Sequence, residues 1–217
     1  MKKFLPILKN CPLFSDIDES EMSDLLNSIG AKKRSFEKGG LVSIAGSKAS
    51  SFGIVLAGRV NVVQDSYWGG HSILAQISEG ELFGEAFSCA QIESLPLSVV
   101  CALPCDILLI DYQKIISIGV SSLHLKLIKN MMRILARKNI ILTQKMEHLS
   151  QRTTRQKLLS FLSMQAKQAS SREFEINFTQ GELAEYLSVD RSAMCTELSK
   201  MQDEHLLLYK RSYFELL

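Results

Sequence analysis

Ile128, Met132, Leu135, Asn139, Leu142, Met146 and Leu149 are separated alternately by four and three residues. That is a seam of three heptads, apolar at every step except Asn139, and only a long α-helix lines such positions up on one side. Glycines nearly vanish between Tyr112 and Leu149, which extends the helical reading over the whole stretch. A single Asn at an a-type position fixes register and favours a parallel pair at some cost in stability. A helix packed on its own domain carries the same stripe, because three heptads is a minimal repeat. Self-association through these seven residues is the expected use, giving a homodimer.

The long helix divides two textures. From Phe36 to about Ile110 short apolar runs are broken by glycines. FGIVLAGRVNVV reads as two strands turning at Ala57–Gly58, RVNVVQDSY and HSILAQI flank a hairpin signal at Trp68-Gly69-Gly70, and SVVCALPCDILLI supplies two strands around Pro104. Closely spaced strands without any βαβ unit predict a sandwich or jelly roll. Ahead of them, residues 16–30 read as a helix with acidic cap candidates, Met22, Leu25, Leu26 and Ile29 at helical spacing, and Gly30 as the stop. Beyond Arg152 a second amphipathic helix uses Leu158, Phe161 and Leu162, followed by a polar loop and by FEINF, whose Phe174, Ile176 and Phe178 alternate as in a strand. The expected class is α+β: a jelly-roll domain over 1–111, a dimerisation helix over 112–149 and a third domain over 150–217.

The formal net charge of the 217 residues is only +2, but it is unevenly spread. Residues 1–50 carry net +2, 51–125 net −5, 126–157 net +8 and 158–217 net −3. The central region is too poor in Lys and Arg to meet nucleic acid, whereas 126–157 suits an anionic partner or a solvated helix face. No uninterrupted apolar run reaches the ~18 residues of a membrane span, and Pro6 and Lys9 interrupt the N-terminal apolar stretch. The five cysteines are an odd number and read as reduced thiols, so a soluble cytoplasmic protein with no membrane partner is expected.

The densest signal lies in TQGELAEYLSVDRSAMCTELSKMQDEHLLLYKRSYFELL. Thr179 and Glu182 form a capping box that starts a short helix through Leu187. Ser188-Val189-Asp190 is a tight connection, and Asp190 can N-cap a second helix. In that helix Met194, Leu198 and Met201 make the buried stripe. Ser192, Thr196 and Ser199 take the opposite face, with Arg191 in the first turn and Lys200 at the flank. Two helices joined by a three-residue turn, the second polar outside, is the helix-turn-helix pattern. Hydroxyl and guanidinium groups of this reach suit base edges and phosphates. Strands near 206–209 and 213–216 would place Lys210 and Arg211 at a hairpin tip. Thr179, Gln180, Arg191, Ser192, Thr196, Ser199, Lys200, Lys210 and Arg211 are therefore the candidate contacts to double-stranded DNA.

With GELFGEAFS in the strand-rich part, a long dimer helix, and ELAEYLSVDRSAMCTELSKM behind it, the chain resembles the Crp/Fnr transcription regulators over essentially its full length. The resemblance implies that Arg191, Ser192 and Thr196 face the major groove of an inverted-repeat site, and that the dimer contacts RNA polymerase under control of a small-molecule effector. Relatives frequently have arginine at the Thr196 position and glycine at that of His205. Cyclic-nucleotide-binding members keep a Gly-Glu pair followed by Arg and a hydroxyl residue. Gly84, Glu85 and Ser98 match, but the arginine position falls on Leu97. The helix positions that give a Thr-Ser pair to the purine fall on Ile140 and Ile141. The resemblance thus implies an effector pocket at Gly84, Glu85, Leu97, Ser98, Ile140 and Ile141 that does not take a cyclic nucleotide, because a cyclic phosphate would lack its charge-assisted partner.

Oxygen-sensing relatives hold an iron–sulfur cluster through an N-terminal cysteine group, but only Cys11 lies there, so no cofactor is expected. Cys101 and Cys105 read as buried apolar thiols rather than a redox pair. His71, His124, His148 and His205 are scattered singly, without the closely spaced pair of a metal-binding cupin, so no metal site is expected. A metal-dependent jelly-roll enzyme with an accessory helical domain is the alternative. It lacks ligands and any nucleophile–base pair, and no enzymatic activity is expected.

Overall fold

A computed structural model describes residues 2–65, 71–117 and 122–217. The chain forms two compact units, 1–136 and 137–217. In order along the first are α1 (Leu5–Asn10), α2 (Glu19–Ser28), β1 (Lys32–Phe36), β2 (Leu41–Ser43), β3 (Phe52–Ala57), β4 (Val60–Asp65), β5 (His71–Ile77), β6 (Leu82–Phe83), α3 (Glu85–Cys89), β7 (Ser98–Cys101), β8 (Cys105–Ile110) and α4 (Tyr112–Ser117). The strands make two four-stranded antiparallel sheets, β1-β8-β3-β6 and β2-β7-β4-β5. The fold class expected from the sequence is borne out. β4 and β5 pair as foreseen, while the Trp68-Gly69-Gly70 turn between them lies outside the described residues.

Every residue from Phe52 to Leu56 in β3 is buried because its sheet is covered on both sides. Val55 joins Val60, Val99, Cys101 and Ile107 between the two sheets. Phe52, Ile54 and Leu56 point the other way, into a cluster with Leu8, Phe14, Met22 and Leu25 from the N-terminal helices. Gly53 allows β6 to close on β3, since a Cβ there would lie 2.1 Å from the ring of Phe83. α1 and β1 carried no sequence signal. β1 reads KKRSF and is an edge strand whose only partner among the described residues is β8, a place where lysines blunt an open edge.

The long helix α5 spans Ser122–Leu149. Two different faces share its apolar residues. Leu127 and Met131 are fully buried against the first unit's helical core, and the Asn130 amide donates to Leu13 O (3.0 Å) and Ser15 O (2.8 Å). Leaving those carbonyls unpaired would cost about 1–3 kcal/mol. Of the heptad seam, Ile128 and Leu135 pack partly on that core, whereas Met132, Leu142 and Met146 are 66%, 60% and 70% exposed.

The second unit continues with α6 (Thr154–Ala169), β9 (Glu173–Glu175), α7 (Gln180–Tyr186), α8 (Arg191–Asp203), β10 (Leu207–Lys210) and β11 (Tyr213–Leu216). Leu158, Phe161, Leu162, Met194, Leu198 and Met201 share one core with Phe174 and Phe214. The strand expected over FEINF is shorter. It stops at Glu175, and Phe178 turns its ring to Phe161 (6.0 Å) and Tyr186 (5.1 Å) instead of extending the sheet. Among the described residues no helix is long and apolar enough to cross a membrane.

Candidate nucleic-acid interface and effector cradle

α7 begins where Thr179 Oγ1 accepts from Glu182 N–H (3.3 Å) and the Glu182 carboxylate accepts from Thr179 N–H (2.7 Å). These bonds hold the Glu182 carboxyl below its usual range, the Thr179 backbone N–H contributing most. α7 ends on Ser188, in left-handed conformation at φ 50°, and Val189 N–H closes the turn onto Ala184 O. Asp190 then caps α8, accepting from Ala193 N–H (2.9 Å) and from Ser192 Oγ (2.5 Å), which lower its carboxyl pKa. The two caps expected from the sequence are therefore both present, and they set the turn between the helices.

The exposed face of α8 carries Arg191, Ser192, Thr196, Ser199 and Lys200. Its hydroxyls spend their protons inside the protein: Ser192 on Asp190, Thr196 on Ser192 O (2.9 Å) and Ser199 on Cys195 O (3.1 Å). Their free lone pairs suit base-edge donors, such as the amino groups of cytosine and adenine, while Arg191 supplies the donors a guanine accepts. Across a concave surface of about 550 Å³, Arg191 meets Thr179, Gln180 and the hairpin residues Arg211 and Ser212. Gln180 is further fixed by the Cys195 thiol, which donates to its Oε1 (3.4 Å). Lys210 belongs to β10, so the hairpin tip is Arg211-Ser212, with Arg211 at φ 58°.

Residues that carried no sequence signal hold this surface together. Arg155 makes a two-pronged ion pair with Glu204 and reaches Glu197 at 3.4 Å, binding α6 to the middle and the C-terminal cap of α8. Lys157 Nζ donates to Leu187 O (3.0 Å) at the end of α7. Two cations of the basic 126–157 block are thus internal clamps rather than free charges. Tyr209 N–H donates to Gln202 Oε1 (3.3 Å), and the Tyr209 ring stacks on Phe214, tying the hairpin to α8. His205, where relatives favour glycine, adopts φ 57°, and Leu206 N–H bonds Met201 O as a glycine C-cap would arrange.

In the first unit Gly84 caps α3 at φ 75°, with nothing nearer than 3.9 Å to a Cβ built on it, so conformation rather than space calls for glycine. Glu85 behind it is 3% exposed. Ser98 Oγ accepts from Ala45 N–H (2.9 Å), joining two loops that are also laced by Leu95 N–H to Ser47 O. Leu97 is half-buried and packs against the cluster between the sheets. Gly84, Glu85, Leu97 and Ser98 thus share the first unit, while Ile140 and Ile141 lie beyond residue 136 and are exposed. Cys101 and Cys105 are both buried and free, and burial, with Cys105 alongside, pushes the Cys101 thiol up to about 12. His148 is buried in the last turn of α5, its Nδ1 2.8 Å from Ser160 Oγ and its ring edge-on to Phe161.

Residues 33–120 match the cyclic nucleotide-binding domain and residues 156–217 the Crp-like helix-turn-helix domain. No curated protein matches the chain by sequence. Among solved structures, the catabolite activator protein of Thermus thermophilus is 20% identical, with a TM-score of 0.56 over 95% of this chain and 93% of that one. DNR of Pseudomonas aeruginosa is 18% identical, with a TM-score of 0.52 over 100% and 95%. The c-di-GMP responsive regulator CLP of Xanthomonas campestris is 17% identical, with a TM-score of 0.55 over 92% and 99%. These likenesses extend the shared fold over both units, and the jelly-roll enzyme alternative finds no support in them. With both domain models matched in this order, the chain belongs to the Crp/Fnr family of DNA-binding transcription regulators.

Proposed function

We propose that the protein works in the cytoplasm as a homodimeric regulator, not an enzyme, that reads an inverted repeat, contacts RNA polymerase, and answers to an effector other than cyclic AMP or cyclic GMP. Residues 1–111 form the effector domain, 112–149 the dimerisation helix and 150–217 the DNA-reading domain. Met132, Leu142 and Met146 support the pairing, since a row of exposed apolar side chains at heptad spacing is stabilised by a second copy. Arg191, Thr196 and Ser192 read bases, and Thr179, Gln180, Ser199, Lys200, Lys210 and Arg211 hold the phosphates and the register of the helix.

The observation that carries the effector reading is Leu97, seated against apolar neighbours where the family resemblance calls for an arginine. Charged hydrogen bonds contribute about 1.5–3 kcal/mol each. Losing two weakens a micromolar site by roughly 3–6 kcal/mol, towards the millimolar range. Titration calorimetry of the full chain with cyclic AMP and cyclic GMP tests it. No heat of binding at moderate concentration is expected, and micromolar binding of either would show that the pocket draws its cation from elsewhere.

A further inference from the structure

A cavity of about 320 Å³ opens beside the C-terminal end of α3, lined by Ser88, Gln91, Asp111, Tyr112, Gln113 and Lys48 among others. It lies one helical turn beyond the Gly84–Glu85 cradle, to which Ser88 is joined by its own N–H bonding Gly84 O (3.0 Å). Ser88 is 3% exposed, and its Oγ has no hydrogen-bond partner among the described residues. That hydroxyl is shut off from bulk solvent, and an occupant that draws it into the cavity gives it the hydrogen bond that the described residues do not. We propose that this cavity is a second small-molecule site, distinct from the cradle, for a neutral polyhydroxylated ligand of monosaccharide or polyol size.

The lining chooses the class. Lys48 pairs with Glu93 at 2.9 Å and shares the wall with the Asp111 carboxylate, so a carboxylate or phosphate would meet negative charge beside the shared cation. Asp111 accepts Gln113 N–H (2.9 Å), and its carboxylate suits a ligand hydroxyl while repelling anions. The side-chain amides of Gln91 and Gln113 each both donate and accept, as neighbouring hydroxyls require. Tyr112 contributes the aromatic wall. The volume lies at the small end of ligand sites, matching one sugar ring rather than a nucleotide. Occupancy acts on Ser88, hence on the single turn that carries Gly84 and Glu85.

The test uses the full chain without DNA, so it stands apart from the DNA-reading proposal. Saturation-transfer NMR is recorded with D-glucose, D-ribose and myo-inositol, with glucose 6-phosphate as the anionic comparison. Transfer to at least one of the three neutral compounds is expected, weaker transfer to the phosphate, and about five-fold weaker binding in Ser88→Ala and in Asp111→Asn. Ser88→Ala should also melt slightly higher than the unmodified protein when empty, because it removes an unsatisfied buried hydroxyl. Silence with all three neutral compounds, binding indifferent to both substitutions, or preference for the phosphate would overturn the proposal. A lower-melting Ser88→Ala would overturn it too, by showing that the hydroxyl already has a partner.

Discussion

The DNA-reading helices and the effector loop keep their backbones in different ways. Around α7 and α8 the caps and clamps are answered locally: Thr179 and Glu182 cap each other, Asp190 caps α8, and Arg155 is held by Glu204 and Glu197. Around α3 the backbone is equally well set by Gly84 and the laced loops, yet its side chains are Leu97 against apolar neighbours and Ser88 with an unanswered hydroxyl. In the first region the residues that build the scaffold also point towards the chemistry. In the second, the scaffold is kept while the side chains around it depart from those the family resemblance implies, because backbone geometry depends on a few glycines and hydrogen bonds whereas side chains are free to differ.

The largest expected effect breaks the reading half without touching its caps. Leu135→Asp with Leu142→Asp should give monomers by sedimentation and reduce DNA affinity by about 10²–10⁴-fold, since two linked half-sites become one. A double variant that stays dimeric would remove the seam from the account. Asn139→Leu should keep the dimer and tighten it, because a buried polar cost disappears. Next in size, Arg191→Ala should cost roughly 1–3 kcal/mol of DNA binding and relax preference at one symmetric position. Equal loss on every sequence would instead make Arg191 a phosphate contact.

Smaller effects probe strain and burial within the second unit. His205→Gly should raise its stability by about 1 kcal/mol, as read from chemical denaturation, because a non-glycine residue at φ 57° is conformationally costly. No gain would mean that His205 makes an interaction worth its strain. The smallest effect is the pH dependence of His148. Burial lowers its pKa below the ordinary 6.5, opposed by nearby Glu147. The unfolded chain therefore binds more protons between the lowered value and 6.5, so stability rises with pH across that window and is fully present above it. His148→Phe should flatten that slope. An unchanged slope would assign it to other groups.

The sequence disclosed what short-range patterns can encode. The heptad spacing, the Thr179 and Asp190 caps and the hairpin of β4 and β5 depend on residues a few positions apart, and their elements form where expected, whereas the strand read over FEINF ends at Glu175. What stayed hidden depends on distant partners. β1 is a strand only because β8 lies beside it, and Asn130 turns inward only because the carbonyls of Leu13 and Ser15 wait there. Arg155 counted as one more charge in a basic block until α8 supplied its carboxylates. Likewise the apolar stripe of α5 left open whether the helix packs on its own domain or on a second copy. The structure separates the two faces, with Leu127 and Met131 inward and Met132, Leu142 and Met146 outward.

The proposed function requires DNA reading that is independent of cyclic AMP and cyclic GMP. The most direct measurement is the affinity of the full-length protein for an inverted repeat obtained by in-vitro selection, with and without 1 mM (order of magnitude) cyclic AMP or cyclic GMP, well above a micromolar site. The account predicts specific binding to the selected repeat, with an affinity that neither nucleotide changes. A tenfold or larger change in affinity on adding either nucleotide would contradict it.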